Sequence, residues 1–387
     1  MTATTLTPEA LAAALSVADL TDPDQTPQRP HALAQLVSLA VNGLAAAWRI
    51  PVRSIRSGRL VSVDDNYDRL GYAPAAVTRD ARYTRYVSET VLLRSHTSAG
   101  VPYALRQIAA EGLDAPADVL LALPGVVYRR DAIDRLHTGT PHQLDLWRIS
   151  RSQLLDDADL AQMLSVLMDT LLPGMEWRTT PADHPYTTRG RQVDVRASAD
   201  WVEIAECGLA ADHVLRSARL NGWSGLALGI GLDRVLMLRK KIPDVRLLRS
   251  PDPRVASQMH DLALYRPVSH QPPVRRDLSV ALSPPVDLEV LGDRVREALG
   301  TDADSVEAVE LLSVTDYGDV PPAARHRIGL ATEQVNALIR VVLRPVDRTL
   351  TGAEANDLRD RIYAALHQGS IAQWASIVGH DREDMQP

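Results

Sequence analysis

Residues 224–237 read SGLALGIGLDRVLM, a run of small and apolar residues that passes into a helical pattern. The glycine spacing predicts a strand whose backbone a ligand can approach closely. Arg234 falls in the first turn of the predicted helix, where a guanidinium group and a helix N-terminus together favour phosphate. Because no third glycine follows Gly229 and Gly231, a dinucleotide-binding fingerprint fits poorly. A tight strand-to-helix turn that serves packing is the alternative interpretation.

A second pattern, upstream of the first, predicts a long β-hairpin. Residues 125–131 (GVVYRRD) and 141–148 (PHQLDLWR) are two β-like runs joined by a polar loop. Arg129 projects from the first run and can bind a phosphate group. Gln143 and Asp145 are two positions apart, so both point to one face of the second strand and can receive an ammonium group. From spacing alone, a solvated hairpin with ordinary cross-strand ion pairs is the favoured interpretation.

A third pattern is residues 92–98, LLRSHTS, in which His96 stands beside two hydroxyl residues, Thr97 and Ser98. A histidine with two hydroxyls can orient a ligand. As an isolated pattern this is a weak signal.

Together, and in this order, the three patterns resemble the signature stretches of the phenylalanyl-tRNA synthetase catalytic subunit. Residues 92–98 match its Leu-Arg-x-His-Thr-Ser stretch, the hairpin matches its motif 2, and residues 224–237 match its motif 3. The region after residue 265 is similar to that family's anticodon-binding domain, through Arg275-Arg276-Asp277-Leu278-Ser279 and Arg348-Thr349-Leu350-Thr351. The resemblance therefore covers most of the chain.

The resemblance implies an α+β fold, with a class II synthetase antiparallel sheet flanked by helices. Strands and helices after residue 265 alternate as βαββαβ, which predicts a ferredoxin-like domain. We expect an N-terminal helical segment (1–50), a catalytic domain (51–250), a linker (251–264) and the C-terminal domain (265–387).

The resemblance also implies the chemistry and the residues that perform it. The amino acid carboxylate attacks the α-phosphorus of ATP, pyrophosphate leaves, and the amino acid passes to tRNA; Mg²⁺ is expected to bridge phosphate oxygens. Arg129 and Arg234 are the expected catalytic residues. The other expected ligands are Arg135, His137 and Gly231 for ATP; His96, Ser98, Gln143, Asp145, His184, Tyr186, Ala227 and Gly229 for the amino acid; and Arg275, Arg276 and Arg344 for tRNA.

The chain departs from the family in the amino acid pocket. His184 and Tyr186 stand where the family usually has two phenylalanines, and Asp145 replaces the usual glutamate. The whole sequence contains no phenylalanine. One explanation is that an enzyme without phenylalanine can be made when phenylalanyl-tRNA is scarce. The other is that the polar groups of His184 and Tyr186 recognise a polar or hydroxylated analogue of phenylalanine. The predicted substrate is therefore phenylalanine or a close aromatic analogue.

The remaining composition sets limits on location and chemistry. Apolar residues make up 45% and charged residues 24%, as in soluble globular proteins. There is no uninterrupted apolar run of about twenty residues, so no membrane span is expected. The first residues lack the arrangement of a secretory signal, which predicts a cytoplasmic location. Cys207 is the only cysteine, which excludes an internal disulfide and a multi-cysteine zinc site.

The charge of the C-terminal region argues against a tRNA partner. From Asp261 to the end, 13 Arg and Lys face 20 Asp and Glu, whereas domains that bind tRNA are usually more basic. Either the arginines cluster on one face or the tRNA role is reduced. The alternatives are a paralogue that supplies an activated amino acid to small-molecule biosynthesis, and a non-catalytic tRNA-binding relative. The compact, organellar-like arrangement suggests a monomer, with a homodimer still open.

Overall fold

The computed structural model describes residues 5–25, 29–81, 83–198, 200–268, 272–345 and 348–372. The chain forms two compact units. The first contains residues 1–129 and 139–266, and the second contains residues 130–138 and 267–387.

The first unit is a mixed α+β fold. Its strands are β1 (Val52–Ser54), β2 (Leu60–Ser62), β3 (Val91–Leu93), β4 (Asp118–Val126), β5 (His142–Ser150), β6 (Trp177–Pro181), β7 (Thr187–Ala197), β8 (Asp200–Ala210) and β9 (Ser224–Gly231). Its helices are α1 (Pro8–Ser16), α2 (Ala32–Trp48), α3 (Val63–Asn66), α4 (Val101–Glu111), α5 (Asp157–Leu171), α6 (Asp212–Ser217), α7 (Leu232–Lys240) and α8 (Pro253–Ala256).

Seven of these strands form one sheet in the order β1-β4-β5-β9-β8-β7-β6. Only β1 and β4 pair in parallel; the other neighbours are antiparallel. The predicted antiparallel sheet flanked by helices is confirmed. The second predicted hairpin run is β5 and the glycine-spaced run is β9; of the first predicted run, residues 125–131, only Gly125 and Val126 lie in a strand, at the end of β4.

Successive side chains of each strand point to opposite faces of the sheet, so each face presents side chains against which helices pack. On one face, Leu123, Trp147 and Ala227 belong to a buried cluster with residues of α4 and α6, including Leu105 and Leu215. On the other face, α2, α5 and α7 pack together and against the central strands. The central strands are covered on both faces and are rich in apolar residues, so most of the core lies there. Among the described residues, no helix is long and apolar enough to cross a membrane.

We expect the stability of this unit to fall as pH decreases from about 6.5 to about 4, because α2 is capped by a neutral histidine. His31 Nδ1 accepts the Leu33 N–H at 3.1 Å, and Nε2 lies 3.2 Å from the Leu248 carbonyl, to which it donates. Burial lowers the pKa of His31 to about 4, helped by His142. The unfolded chain therefore takes up a proton first, at a cost to the native state on the order of 3 kcal/mol.

Urea denaturation at pH 7 and pH 5 measures this effect. The matched variant is His31→Asn, since asparagine also caps helices but does not titrate. The variant should lose less stability between the two pH values than the wild type. Equal losses in both proteins would contradict the prediction.

The second unit also combines a sheet with helices. Its elements are β10 (Val274–Leu282), α9 (Leu288–Leu299), β11 (Val306–Asp316), α10 (Pro322–Ile328), β12 (Val335–Leu343) and α11 (Gly352–Leu366). The strands form an antiparallel sheet in the order β10-β12-β11. Apart from α10, which the βαββαβ pattern did not include, the order of elements agrees with that pattern as far as α11. The predicted final strand lies largely outside the described residues, and the ferredoxin-like assignment stays a prediction.

Residues 130–138 join the second unit although they connect β4 to β5. Ile133 is buried in the core of this unit. The Val309 N–H donates to the Ile133 carbonyl at 2.9 Å, and Arg296 Nη2 donates to the Ala132 carbonyl at 2.7 Å. The sequence predicted only a polar loop here.

Candidate active site

Strand register brings the predicted amino acid ligands together. Asp145 on β5 lies opposite Gly229 on β9, and Gln143 lies opposite Gly231. Directly opposed residues of antiparallel strands share a face. The hairpin and the glycine-spaced strand, about eighty residues apart in sequence, therefore form one surface. A Cβ atom added at Gly229 would contact Asp145 at 3.7 Å or more, so this position leaves the carboxylate accessible from β9.

Asp145 is a buried carboxylate held by several donors. Thr97 Oγ1 donates to Asp145 Oδ2 at 2.6 Å, and Trp147 Nε1 donates to Oδ1 at 3.3 Å. Burial raises the pKa of Asp145, while hydrogen bonds from Thr97, Ser98 and Trp147 oppose that rise. Thr97 also connects to Gln143, whose Oε1 accepts the Thr97 N–H at 3.3 Å. A buried carboxylate of this kind is suited to binding a cation. Thr97 was not among the predicted ligands.

Aromatic rings line the space next to Asp145. Tyr72 stacks on His96 with ring centroids 5.7 Å apart, and its ring lies 6.5 Å from that of Tyr186. Tyr186 in turn lies 5.9 Å from the His184 ring and 6.1 Å from Trp147. Such a row of rings can hold a flat, apolar group. The structure therefore brings His96, His184 and Tyr186 together, and adds Tyr72, for which the sequence gave no local signal.

His96 is neutral in this environment. Burial, together with the nearby guanidinium charge of Arg129, lowers the pKa of His96 to about 3. Its Nδ1 atom has no hydrogen-bond partner among the described residues. Neutral His96 can therefore still bond to a ligand through this nitrogen.

Ala227 lies opposite Trp147 on β5. Both belong to the same buried cluster as Tyr186. The role of Ala227 as the floor of an aromatic pocket stays a prediction. Ser98 is buried and contributes a side-chain hydrogen bond to Asp145.

Arg94 fixes the base of the hairpin. Its guanidinium is almost fully buried, and it donates from Nε to the Val126 carbonyl at 2.8 Å and from Nη1 to the Ser57 carbonyl at 2.9 Å. A side chain at Gly125, whose φ is +156°, would overlap the Arg94 guanidinium. Glycine at this position therefore lets Arg94 hold the end of β4, from which Arg129 follows.

Arg129 and Arg234 both act on one carboxylate. Arg129 Nε donates to the Ser95 carbonyl at 2.9 Å, and Arg234 Nη1 donates to the Glu203 carbonyl at 3.0 Å. Burial and the neighbouring Glu206 raise the pKa of Glu203, and both arginines oppose that rise. Arg234 therefore lies beside β8, and the charge of Arg129 also acts on Glu203. Glu203 was not predicted from the sequence.

The start of α7 is tied to β5. Gly231 is the N-cap residue of α7, and Asp233 follows in its first turn. Asp233 accepts a hydrogen bond from the backbone N–H of His142, and its Oδ1 atom lies 3.2 Å from Nδ1 of the His142 ring. These bonds fix the direction in which the first turn of α7 presents Arg234.

The predicted ATP ligands Arg135 and His137 belong to the second unit. His137 Nδ1 lies 2.7 Å from Asp134 Oδ2, and the same aspartate accepts the backbone N–H groups of Leu136 and His137. The loop is held by this aspartate and by the core contacts of Ile133. The role of Arg135 and His137 in ATP binding stays a prediction.

The predicted tRNA ligands lie at one end of the sheet in the second unit. Arg275 is exposed on β10, and Arg344 follows the end of β12, whose Leu343 is paired with Val274. Arg344 Nε forms an ion pair with Glu307 at 2.6 Å. Arg276, the next residue after Arg275, bonds to the Asn356 side chain at 3.2 Å. Two of these arginines therefore already bind protein oxygens.

Within the described residues, no group of three or more His, Cys, Asp or Glu side chains has the arrangement of a metal site. Mg²⁺ prefers oxygen ligands and is usually bound through one or two carboxylates together with phosphates. Glu203, whose backbone carbonyl accepts a hydrogen bond from Arg234, supplies a carboxylate that fits this requirement.

A largely antiparallel sheet with this hairpin and this glycine-spaced strand defines the core of a class II tRNA synthetase. The family described as "tRNA synthetases class II core domain (F)" matches residues 49–259. The chain belongs to this family, that of the phenylalanyl-tRNA synthetases.

Several curated proteins are similar to this chain. The chloroplastic/mitochondrial phenylalanine–tRNA ligase of Arabidopsis thaliana is 28% identical over 316 residues, covering 78% of this chain and 68% of that protein. A probable mitochondrial phenylalanine–tRNA ligase of Drosophila melanogaster is 26% identical over 404 residues, covering 87% and 83%. The phenylalanine–tRNA ligase alpha subunit of Prochlorococcus marinus strain MIT 9313 is 32% identical over 195 residues, covering 50% and 56%.

Proposed function

We propose that this protein is an ATP-dependent aminoacyl-tRNA ligase that activates phenylalanine or a close aromatic analogue and transfers it to tRNA. The observation that carries the proposal is the buried carboxylate of Asp145 beside a row of aromatic rings, with Arg129 bonded to the carbonyl of Ser95, the residue before His96. The names of the similar proteins support the same activity.

The reaction requires positioning and charge neutralisation more than a general base. The amino acid carboxylate forms a bond to the α-phosphorus of ATP, and the bond to pyrophosphate breaks. In our proposal Arg129 binds the α-phosphate and Arg234 the γ-phosphate, with Gly231 giving the phosphates room at the start of α7. Mg²⁺, when bound, neutralises phosphate charge, and Glu203 is the residue we propose to hold it.

The amino acid is held from its ammonium end. Asp145 and Gln143 accept hydrogen bonds from the ammonium group, and Thr97 and Ser98 keep the Asp145 carboxylate in place. The aromatic side chain then lies along Tyr186 and His184, over Ala227 and Gly229. His96 completes this end of the pocket through its Nδ1 atom.

The roles of the second unit are further proposals. We propose that its arginines, among them Arg275, contact tRNA, and that the protein acts as a monomer. The family uses ATP and tRNA, but some relatives are named as alpha subunits, so light scattering of the purified protein is needed to settle its oligomeric state. The cytoplasmic location stays a prediction, because two relatives are named for organelles.

ATP–pyrophosphate exchange followed by aminoacylation tests the proposed function. We expect exchange with at least one aromatic amino acid, and a labelled aminoacyl-tRNA when tRNA is added. Mass spectrometry of the product bound to tRNA identifies the amino acid. Exchange without charging would indicate a paralogue that supplies activated amino acids to biosynthesis. Neither activity would indicate a non-catalytic relative.

A further inference from the structure

Glu206 is a charged residue of the candidate active site that the sequence patterns did not select. It lies on β8 directly opposite Gly229, which is itself opposite Asp145. Residues paired in this way project from the same face of the sheet. The two carboxylates therefore flank one glycine, and two strand spacings place their Cα atoms roughly 10 Å apart.

The surroundings of Glu206 differ from those of Asp145. Glu206 Oε2 lies 3.4 Å from the Tyr186 hydroxyl and 3.6 Å from His184 Nε2. Both distances are long for strong hydrogen bonds. The Glu206 side chain is 46% exposed, although its two neighbours are largely buried. Its carboxylate can therefore accept a further hydrogen bond from a ligand.

An unsubstituted aromatic ring is a poor occupant of this position. The ammonium group of the amino acid neutralises the charge of Asp145, but a hydrocarbon ring has no hydrogen-bond donor for Glu206. Such a ring would displace water from a carboxylate without replacing the lost hydrogen bonds, which is unfavourable. A hydroxyl or amino group on the ring would replace them.

We propose that Glu206 is a specificity-determining residue that accepts a hydrogen bond from a donor on the aromatic side chain of the substrate. This inference rests on the proposed function and narrows its substrate class. The preferred substrates are aromatic amino acids whose ring carries a hydroxyl or amino group, and phenylalanine is activated less efficiently. The spacing of the two carboxylates suits an amino acid that extends from Asp145 at its ammonium end to Glu206 at its ring substituent.

The test compares kcat/KM for ATP–pyrophosphate exchange across a panel of amino acids. The donors are 3-hydroxyphenylalanine, tyrosine and 4-aminophenylalanine; the references are phenylalanine and 4-methylphenylalanine, which has a substituent of similar size without a donor. We expect the best donor substrate to exceed 4-methylphenylalanine by about 10- to 100-fold in the wild type. Glu206→Ala should bring this ratio close to one without changing the KM for ATP.

Two further variants make the comparison sharper. Glu206→Gln retains the shape and an acceptor oxygen but removes the charge, so the ratio should fall to an intermediate value. Glu176→Gln, an exposed position outside the site, removes the same charge elsewhere and should leave the ratio unchanged. Because each ratio is measured within one preparation, a partly misfolded variant does not distort it.

The outcomes separate this inference from the function on which it rests. The inference is overturned if the wild type activates phenylalanine or 4-methylphenylalanine at least as well as every donor substrate. An unchanged ratio in both Glu206 variants overturns it as well. In either case the ligase function stands. Absence of exchange with all aromatic amino acids would instead remove the proposed function, and this inference with it.

Discussion

Replacing Arg234 by alanine is expected to reduce ATP–pyrophosphate exchange by about 10³-fold, with a raised KM for ATP. Removing one donor from a charge-stabilising site costs on the order of 10²- to 10³-fold, and arginines that stabilise transferring phosphates can contribute more. Arg234 Nη1 also bonds to the Glu203 carbonyl, so thermal unfolding of the variant must be measured alongside. Arg234→Lys keeps the charge but not the planar fork, and should recover only part of the activity.

Arg129→Ala and Arg234→Ala should divide their loss of activity differently between kcat and the KM for ATP. A contact to the α-phosphate matters most as charge develops there, so we expect mainly a lower kcat, with a smaller change in the KM for ATP. Arg216→Ala is the matched control, because this arginine is exposed on α6 and pairs with Asp212. If either site variant retained activity similar to that of this control, the proposed phosphate role of that arginine would be wrong.

Replacing Asp145 by asparagine is expected to raise the KM for the amino acid by about 10²- to 10³-fold. The change removes a charge-assisted partner from a buried ammonium group, and losing one partner of a buried charge pair costs several kcal/mol. The KM for ATP should change little, since Asp145 lies at the amino acid end of the site. An amino acid KM within threefold of the wild-type value would exclude Asp145 as the ammonium ligand.

The pH dependence provides a second test of Asp145. Only the ionised carboxylate attracts an ammonium group, and burial raises the pKa of Asp145 above its usual value of 3.8. Amino acid affinity should therefore increase as pH rises through that elevated pKa and then level off. Asp145→Asn should lack this dependence. Isothermal titration of the amino acid across the acidic range, restricted to pH values where both proteins are folded, measures the difference.

Local patterns predicted the parts of the fold that depend on neighbouring residues. Two β-like runs joined by a polar loop predicted β5, and the glycine-spaced run predicted β9 and the start of α7. The sharing of a face by Gln143 and Asp145 also follows from the two-residue period of a strand. Their position beside Gly229 came from the family resemblance, because register between distant strands is not visible in either strand alone.

Other features of the site depend on contacts between distant segments. Tyr72 reaches His96 through tertiary packing, and Glu206 becomes part of the pocket only because β8 pairs with β9. The ATP-binding role of Arg135 and His137 came from the family resemblance and stays a prediction. Local composition described their loop only as polar, and the packing of Ile133 in the core of the second unit was not predicted.

The placement of residues 130–138 has a practical consequence for dissecting this protein. A chain ended at Arg266 would keep Ile133 but remove the core that buries it, leaving an apolar side chain in water. The complementary fragment, beginning at Pro267, would leave the Val309 amide and the Arg296 guanidinium without the carbonyl groups they bind. Neither fragment obtained by a single cut therefore contains a complete unit. An isolated second unit would require residues 130–138 to be joined to the fragment that begins at Pro267.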